Sequence, residues 1–247
     1  MLGVGPTTLP CQKTQVKETE ARENTTGQGG EAIQQQRSEG VAGFMTDSGE
    51  SPREAEALTA EALRPKTVTR IGYWNVRTLY QAGKLATLRK EFDSYKLDLL
   101  GISEVRWLGS NKKLLKEDTK LKSHTLIFSG RKDGRHEEGV GLLMSRELSK
   151  TLIEWKPISP RLLKARFNSK YTKLSVIVCY APTNTADDDQ KDEFYEQLNA
   201  TTQEVSSHDM LVIIGDMNAR PGSDNTGKTR IMGNEGYGTI NENGTRL

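Results

Sequence analysis

Five polar side chains follow four apolar runs of the sequence, at the point where each run ends. They are Asn75, Glu104, Tyr180, Asp216 and Asn218. The runs are residues 70–75 (RIGYWN), 99–104 (LLGISE), 174–180 (LSVIVCY) and 211–218 (LVIIGDMN). Short apolar, β-branched runs are typical of buried strands, so these side chains are expected at the rim of a sheet. Carboxylates, amides and a phenol together suit a hard divalent cation and a phosphodiester. The sequence therefore predicts phosphate chemistry, provided that the four strand ends meet.

Asp216 and Asn218 lie two residues apart, so an extended backbone places both side chains on one side. Asp216 is then placed to orient or deprotonate an attacking water, and Asn218 to donate to a phosphate oxygen. Each residue also has a plainer interpretation. Taken alone, Glu104 is more typical of an exposed carboxylate, and Tyr180 is more typical of an aromatic side chain that closes the core. Asp216 is also typical of a turn, and Asn75 is equally typical of a satisfied core amide.

The elements that must position these residues follow from the apolar spacing. Residues 83–95 and 187–205 carry apolar side chains at helical spacing. Strands are expected at residues 67–75, 97–104, 123–129, 139–145, 162–168, 173–180 and 211–215, whereas residues 106–122 are a polar, lysine-rich segment without an assigned element. The order of elements predicts an α/β fold with a two-layered sheet and helices on the outside. The hairpins in the middle argue against a doubly wound nucleotide fold.

Residues 1–66 differ in composition from the rest of the chain. They carry 7 Lys or Arg and 10 Asp or Glu, with Phe44 as their only aromatic residue. Such a segment buries too little apolar surface to offset the entropy of ordering. We therefore expect a disordered, low-complexity tail over residues 1–66, with one short helix at residues 51–63. A single domain over residues 67–247 is expected to follow.

The net charge limits the class of partner, and the cysteines indicate the compartment. Residues 67–247 hold 28 of the 35 basic and 23 of the 33 acidic side chains, a net charge of +5 that is compatible with a polyanion. Cys11 falls in the predicted tail and Cys179 in a strand, so free thiols in a reducing intracellular compartment, nuclear or cytoplasmic, are expected. Neither a secretory signal nor an apolar run of about 20 residues is visible, so neither secretion nor a membrane span is expected.

Four motifs resemble those of the endonuclease/exonuclease/phosphatase superfamily. They are YWNV at 73–76, SEV at 103–105, CYAPT at 179–183 and IGDMNA at 214–219. Longer stretches are closer still to the apurinic-like endonuclease of RTE-type non-LTR retrotransposons: WNVRTLYQAGKL, YKLDLLGISEVRW, GVGLLMS and NENGTRL. The resemblance covers residues 69–247 and does not extend to the tail.

The resemblance implies a four-layer α/β sandwich that hydrolyses DNA phosphodiesters with Mg²⁺, or with Mn²⁺ in its place, and leaves a 3′ hydroxyl. By motif match, Glu104 is the metal ligand and Asn75 supports the metal or the phosphate. Tyr180 contacts the phosphate, and Asp216 orients or activates the water. Asn218 donates a hydrogen bond near the scissile group.

Two features depart from the family pattern. Arg77 stands where many apurinic endonucleases carry an acidic residue, which removes one carboxylate from metal binding. The Ser-Asp-His motif that ends the family's domain is missing, and His124, His136 and His208 lie in unlike contexts. We therefore expect a fold that is truncated at its C-terminus, with exposed sheet faces and edges. Turnover is expected to be weak or absent, because a general acid or phosphate clamp contributes about 10²–10⁴-fold in rate.

Basic and aromatic residues near the motif loops are candidate DNA contacts. They are Arg77, Arg106, Trp107, Lys112, Lys113, Lys116 and Arg220. Ordinary solvated surface is the alternative for the cations. Trp107 either stacks on a base or caps the core.

Two other function classes stay open. The first is a non-catalytic remnant that binds DNA or a partner protein, which the missing motif favours. The second is a phosphatase acting on a phosphorylated lipid or small molecule, since the superfamily includes such enzymes. The retrotransposon-like WNVRTL and SEVRW stretches argue against the second.

Overall fold

The computed structural model describes residues 62, 68–116, 121–233, 235–236 and 238–247. The predicted tail and the predicted helix at 51–63 lie outside the described residues, apart from Ala62. Ala62 is buried and packs in the core of the domain. Its N–H donates to the carbonyl of Asn168 at 2.7 Å. The boundary between tail and domain stays a prediction.

The first sheet holds five strands in the order β1-β2-β5-β4-β3. Its elements are β1 (Ile71–Asn75), α1 (Lys84–Ser94), β2 (Leu99–Ser103), β3 (Ser110–Leu115), β4 (His124–Ser129) and β5 (Val140–Ser145). β1 and β2 are parallel and joined by α1, with Asn75 opposite Ser103. The predicted strand–helix–strand unit is confirmed, and Glu104 follows directly on the end of β2.

The second sheet holds four strands in the order β6-β7-β8-β9. The elements of this half are α2 (Arg146–Ser149), β6 (Leu152–Ser159), β7 (Leu162–Phe167), β8 (Leu174–Tyr180), α3 (Asp188–Gln203), β9 (Met210–Asp216) and α4 (Glu242–Arg246). β8 and β9 are parallel and joined by α3, with Tyr180 opposite Asp216. Each sheet thus carries one parallel pair whose ends bear the candidate residues.

Two strands and two short helices were not anticipated from the sequence. β3 lies inside residues 106–122, the polar segment to which no element was assigned, and residues 110–114 of β3 are exposed. As the far edge of its sheet it pairs only with β4, so it needs no apolar face. β6 is also an edge strand. It carries register shifts near Leu152 and Pro157, and proline is tolerated at such an edge. The short helices α2 and α4 lack the length for an apolar stripe.

Three apolar cores separate four layers. Between the sheets lies the largest cluster, in which Leu142 and Val176 are fully buried. α1 packs through Phe92 on the outer face of the first sheet, and α3 packs through Phe194 on the outer face of the second. The predicted four-layer α/β sandwich is therefore confirmed.

The edge strands β1 and β9 lie at the same side of the sandwich. β1 and β9 are the last strands of their sheets in the described part of the chain, and they contact each other across the core. Trp74 on β1 is 43% exposed, and Met210 and Ile213 on β9 are 49% and 39% exposed. Apolar surface is therefore present at both edges. Within the described residues, no helix is long and apolar enough to cross a membrane.

Gly101 on β2 sets how closely the two sheets approach near the candidate residues. A Cβ at this position would lie 2.6 Å from Cδ1 of Ile214 on β9. We expect Gly101→Ala to lower the free energy of unfolding by about 1–3 kcal/mol through overpacking. Ile214→Val removes the clashing methyl and alone costs about 0.5–1.5 kcal/mol. Urea unfolding of both single variants and the double variant checks this.

The double variant is expected to be more stable than the sum of the two single losses, because the smaller side chain makes room for the new methyl. Strictly additive losses would show that Gly101 does not set the spacing between the sheets.

Candidate active site

Glu104 accepts hydrogen bonds from side chains of both sheets. Its Oε1 accepts a hydrogen bond from Nδ2 of Asn75 at 2.8 Å and another from the hydroxyl of Tyr180 at 3.1 Å. Asn75 ends β1 of the first sheet and Tyr180 ends β8 of the second. Its Oε2 accepts from the guanidinium of Arg106 at 2.9 Å. Side chains that are up to 105 positions apart along the chain thus converge on one carboxylate.

The backbone after β1 and β2 is held in left-handed conformations. Glu104 has φ 55°, Arg106 has φ 57° and Arg77 has φ 57°. Such angles are uncommon for residues with a Cβ and cluster at functional sites. The N–H of Arg77 donates to Oδ1 of Asn75 at 3.0 Å, which fixes the orientation of the amide. Nδ2 of Asn75 therefore points at Glu104 and not at solvent.

The protonation states follow from the surroundings. Burial raises the pKa of Glu104, but the hydrogen bonds from Asn75, Arg106 and Tyr180 outweigh it, and the pKa lies below its ordinary value. Burial, and then the charge of Glu104, raises the pKa of Tyr180 to about 12, with a smaller contribution from Asp216. At neutral pH the site therefore holds an ionised Glu104 beside a protonated phenol that can donate a hydrogen bond.

Asp216 and Asn218 line an adjoining cleft of about 610 Å³, together with Tyr73, Arg220 and Asn241. The N–H of Asn218 donates to Oδ1 of Asp216 at 2.9 Å. Nδ2 of Asn218 donates to the carbonyl of Ala181 at 2.8 Å, which uses one of its two amide hydrogens. The second hydrogen is the one available for a substrate oxygen.

Tyr73 lies between the two groups of candidate residues. Its hydroxyl donates to Oγ of Ser103 at 2.6 Å, next to Glu104 in the chain. Burial raises the pKa of Tyr73 to about 12, against the effect of Ser103, and the charge of Asp216 adds to the increase. The sequence did not single out Tyr73, because an aromatic residue inside an apolar strand is typical of core packing.

Two asparagines that the sequence did not assign hold the loop after β9. Nδ2 of Asn241 donates to the carbonyl of Asn218 at 2.9 Å. Nδ2 of Asn243 donates to the carbonyls of Pro182 at 2.9 Å and Asn218 at 3.3 Å. Asn243 is fully buried and thus joins the chain after β8 to the chain after β9. The signal in the sequence is the NENG stretch, in which Asn241 caps α4 by accepting from the N–H of Gly244.

Arg161 supports Tyr180 from the other side. Its guanidinium lies 5.2 Å from the centre of the Tyr180 ring and donates to the carbonyl of Tyr180 at 3.2 Å. Glu138 accepts from Arg161 at 2.9 Å and from Arg131 at 3.2 Å. Nothing in the sequence indicates the pairing of Arg161 with Glu138, because the two residues belong to separate hairpins.

The predicted DNA contacts do not form one surface. Arg77 is exposed beside Asn75, and Arg220 lines the cleft of Asp216. Arg106 is close to the site but pairs with Glu104. The ring of Trp107 packs edge-on against Phe128 with a centroid distance of 5.1 Å, which favours the interpretation that Trp107 caps the core.

The predicted lysines lie farther away. Lys112 and Lys113 are exposed on β3, the strand at the opposite edge of the sheet from β1. Nζ of Lys113 lies 4.7 Å from the centre of the Trp107 ring. Lys116 follows β3, and its carbonyl accepts from Arg89. These lysines are not brought next to Glu104.

The residues present fit a hard cation that keeps most of its water. Within the described residues, no group of three or more His, Cys, Asp or Glu side chains is placed to hold a metal. Zinc sites need three or four such ligands, whereas Mg²⁺ is bound by one or two carboxylates and several waters. The side chain of Glu104 is 16% exposed and lies beside an amide, which matches the second pattern. Arg106 would have to leave Oε2 for a cation to bind there.

Comparison with known proteins agrees with this geometry. Residues 72–246 match the model of the Endonuclease/Exonuclease/phosphatase family. The chain belongs to this family. Enzymes of the family generally depend on a divalent metal ion, and membership supports nuclease-type hydrolysis as the general class of chemistry.

The chain is similar to craniofacial development protein 2 of Tragulus javanicus and of Bos taurus. In each case 35% of 177 aligned residues are identical, over 72% of this chain. The match spans 29% of the length of the first relative and 28% of the second.

Among solved structures, the chain is similar to the endonuclease domain of TRAS1, a telomere-specific non-LTR retrotransposon. The TM-score is 0.40 at 13% identity, over 62% of this chain and 60% of that one. It is also similar to the AP endonuclease LMAP from Leishmania major. There the TM-score is 0.42 at 15% identity, over 69% of this chain and 68% of that one. At these identities and scores the likeness carries no information about activity.

Substitution of Asn243 tests whether the loops after β8 and β9 depend on one buried amide. We expect Asn243→Leu to lower the free energy of unfolding by about 1–3 kcal/mol, because the carbonyl of Pro182 is left without its donor. The carbonyl of Asn218 keeps the hydrogen bond from Asn241. Asn199→Leu, on the exposed surface of α3, is the matched control and should cost little. Chemical denaturation of the two variants measures the difference. Equal stabilities would show that Asn243 does not join the loops.

Proposed function

We propose that this domain hydrolyses DNA phosphodiesters with Mg²⁺ and does so slowly. The observation that carries the proposal is the meeting of Asn75, Glu104 and Tyr180, from two sheets, beside the cleft of Asp216. A structural carboxylate needs no such set of neutral donors from distant strands. The net charge of +5 on residues 67–247 favours a polyanionic substrate.

Each residue has a role that its surroundings support. Ionised Glu104 holds the Mg²⁺ ion, which when bound supplies charge stabilisation at the phosphate. Tyr180, protonated and fixed by Arg161, donates to a non-bridging phosphate oxygen. Asp216 orients the attacking water and accepts its proton. The remaining amide hydrogen of Asn218 donates near the scissile group, and Asn75 keeps Glu104 in place.

Slow turnover follows from where the histidines lie. All three are in the described part of the chain, and none hydrogen-bonds to Asn75, Glu104, Tyr180, Asp216 or Asn218. His124 is buried against Asp93, with Nε2 and Oδ1 3.1 Å apart. Nδ1 of His136 donates to the carbonyl of Arg106, and His208 precedes β9, at the end of that strand opposite Asp216. These histidines therefore do not supply the site with a phosphate clamp or general acid. Such a group contributes about 10²–10⁴-fold in rate.

A nicking assay tests the proposal. Supercoiled plasmid and a duplex with one abasic site are incubated with the wild type, Glu104→Gln or Asp216→Asn, with Mg²⁺ or with a chelator. We expect slow nicking that needs Mg²⁺ and that each substitution reduces by about 10²-fold or more. Glu147→Gln, which changes a carboxylate that is 73% exposed on α2, is the matched control and should nick at the wild-type rate.

Nicking that survives both substitutions would contradict the assigned site. Fast nicking that both substitutions abolish would keep the site and overturn the prediction of slow turnover. Binding of DNA without any nicking would favour the second candidate function.

That second candidate is a non-catalytic DNA-binding domain. Both oxygens of Glu104 already accept hydrogen bonds within the chain, and Arg106 supplies a cation at Oε2. The carboxylate is therefore satisfied without a metal ion. DNA binding that falls steeply with salt but does not change between Mg²⁺ and chelator would support this candidate.

A further inference from the structure

Two loops at the rim of the candidate site bring exposed rings into contact. The ring of Tyr80, in the loop after β1, lies 4.5 Å from the ring of His136, in the hairpin between β4 and β5, with an angle of 50° between the ring planes. Tyr80 is 66% exposed, and His136 is exposed as well. Tyr95 and Tyr171 are equally exposed, but neither contacts a second ring among the described residues. An exposed aromatic pair of this kind is not explained by core packing.

Both rings are anchored to the segment that follows Glu104. Leu79 is buried, and its N–H donates to the carbonyl of Val105 at 3.0 Å. This bond fixes the residue next to Tyr80. Nδ1 of His136 lies 2.9 Å from the carbonyl of Arg106. Because a carbonyl only accepts, Nδ1 carries the hydrogen. The two rings are therefore held by the two residues directly after Glu104 and not by flexible loop tips.

The hairpin that carries His136 is itself braced by ion pairs. Arg131 and Arg135 both donate to Asp133, and the N–H of Arg106 donates to the carbonyl of Glu138 at 2.9 Å. Exposed aromatic rings on a braced backbone lose little conformational entropy when a ligand stacks on them. Tyr80 thus offers one largely free ring face at a fixed position near Glu104.

Cations accompany the rings. Arg77 is exposed three residues before Tyr80, and its backbone N–H is fixed on Asn75. Arg106 lies between the rings and the carboxylate of Glu104. Rings for base stacking beside cations for the backbone phosphates are the combination by which proteins hold single-stranded nucleic acid.

We propose that Tyr80 and His136 form a stacking site for an unpaired nucleobase of the DNA strand whose phosphate lies at Glu104. The proposal rests on the proposed function, because it takes the phosphate position from it. Tyr80 presents the face on which the base stacks, and His136 supports the other side of the ring. Arg77 contacts the phosphate that follows the base. The site therefore favours an unpaired or displaced base over one stacked inside a duplex.

Binding of a fluorescently labelled, single-stranded oligodeoxynucleotide in the presence of a chelator tests this without relying on turnover. We expect Tyr80→Ala to weaken binding by about 5- to 100-fold. Tyr80→Phe keeps the ring and should bind like the wild type. Tyr171→Ala, which removes a tyrosine 74% exposed in the turn between β7 and β8, is the matched control and should bind like the wild type.

The dependence of affinity on salt separates stacking from charge. Tyr80→Ala removes no cation, so its affinity should be lower at every salt concentration with an unchanged slope. Arg77→Gln should instead reduce the slope by about one phosphate contact. The loss caused by Tyr80→Ala should shrink when the same oligonucleotide is annealed to its complement, because paired bases cannot stack on the ring.

Equal single-strand affinities for the wild type and Tyr80→Ala would overturn the stacking site, and Mg²⁺-dependent nicking by the same preparation would show that the proposed function stands without it. Failure of the wild type to bind any DNA would overturn both. Loss of affinity in Tyr80→Phe as large as in Tyr80→Ala would also overturn the stacking site, since the ring is retained.

Discussion

The carboxylate of Glu104 is shared between two sheets, and the arrangement of the site depends on it. Oε1 receives one donor from the first sheet and one from the second. A largely buried carboxylate without such donors would be costly, and these donors lower the pKa of Glu104 against the effect of burial. The same contacts that keep Glu104 ionised therefore hold the ends of β1, β2 and β8 together. Packing and chemistry are coupled at this one group.

The fold supplies this convergence by repeating one unit. Each sheet contains a parallel pair joined by a helix, β1-α1-β2 and β8-α3-β9. Parallel strands end at the same side of a sheet, so each unit brings two polar ends together. Gly101 lets the sheets approach closely near those ends. Asn243 then ties the chain after β8 to the chain after β9, so the loop of Asp216 and Asn218 stays next to the end of β8, where Tyr180 donates to Glu104.

Seven of the nine strands in the described chain, both long helices and the four-layer order could be predicted because their residues carry buried apolar faces at regular spacing. The edge strands β3 and β6 could not, since an exposed edge strand such as the stretch around Lys112 needs no apolar face. Strand ends also indicated which residues meet, because Asn75, Glu104 and Tyr180 each follow an apolar run. Their partners could not be predicted. The pairing of Arg106 with Glu104 accompanies left-handed backbone at both residues. The pairing of Arg161 with Glu138 joins two hairpins that meet only in the folded chain.

The hydrogen bond between Tyr180 and Glu104 is the contact by which the second sheet joins the site, so its energy tests the account most directly. A double-mutant cycle of Glu104→Ala and Tyr180→Phe, followed by urea unfolding, measures it. We predict a coupling energy of about 0.5–3 kcal/mol. A parallel cycle with Tyr195→Phe, whose hydroxyl donates to the carbonyl of Asn243, should show almost none. Independent effects of Glu104→Ala and Tyr180→Phe would contradict the convergence of the two sheets on this carboxylate.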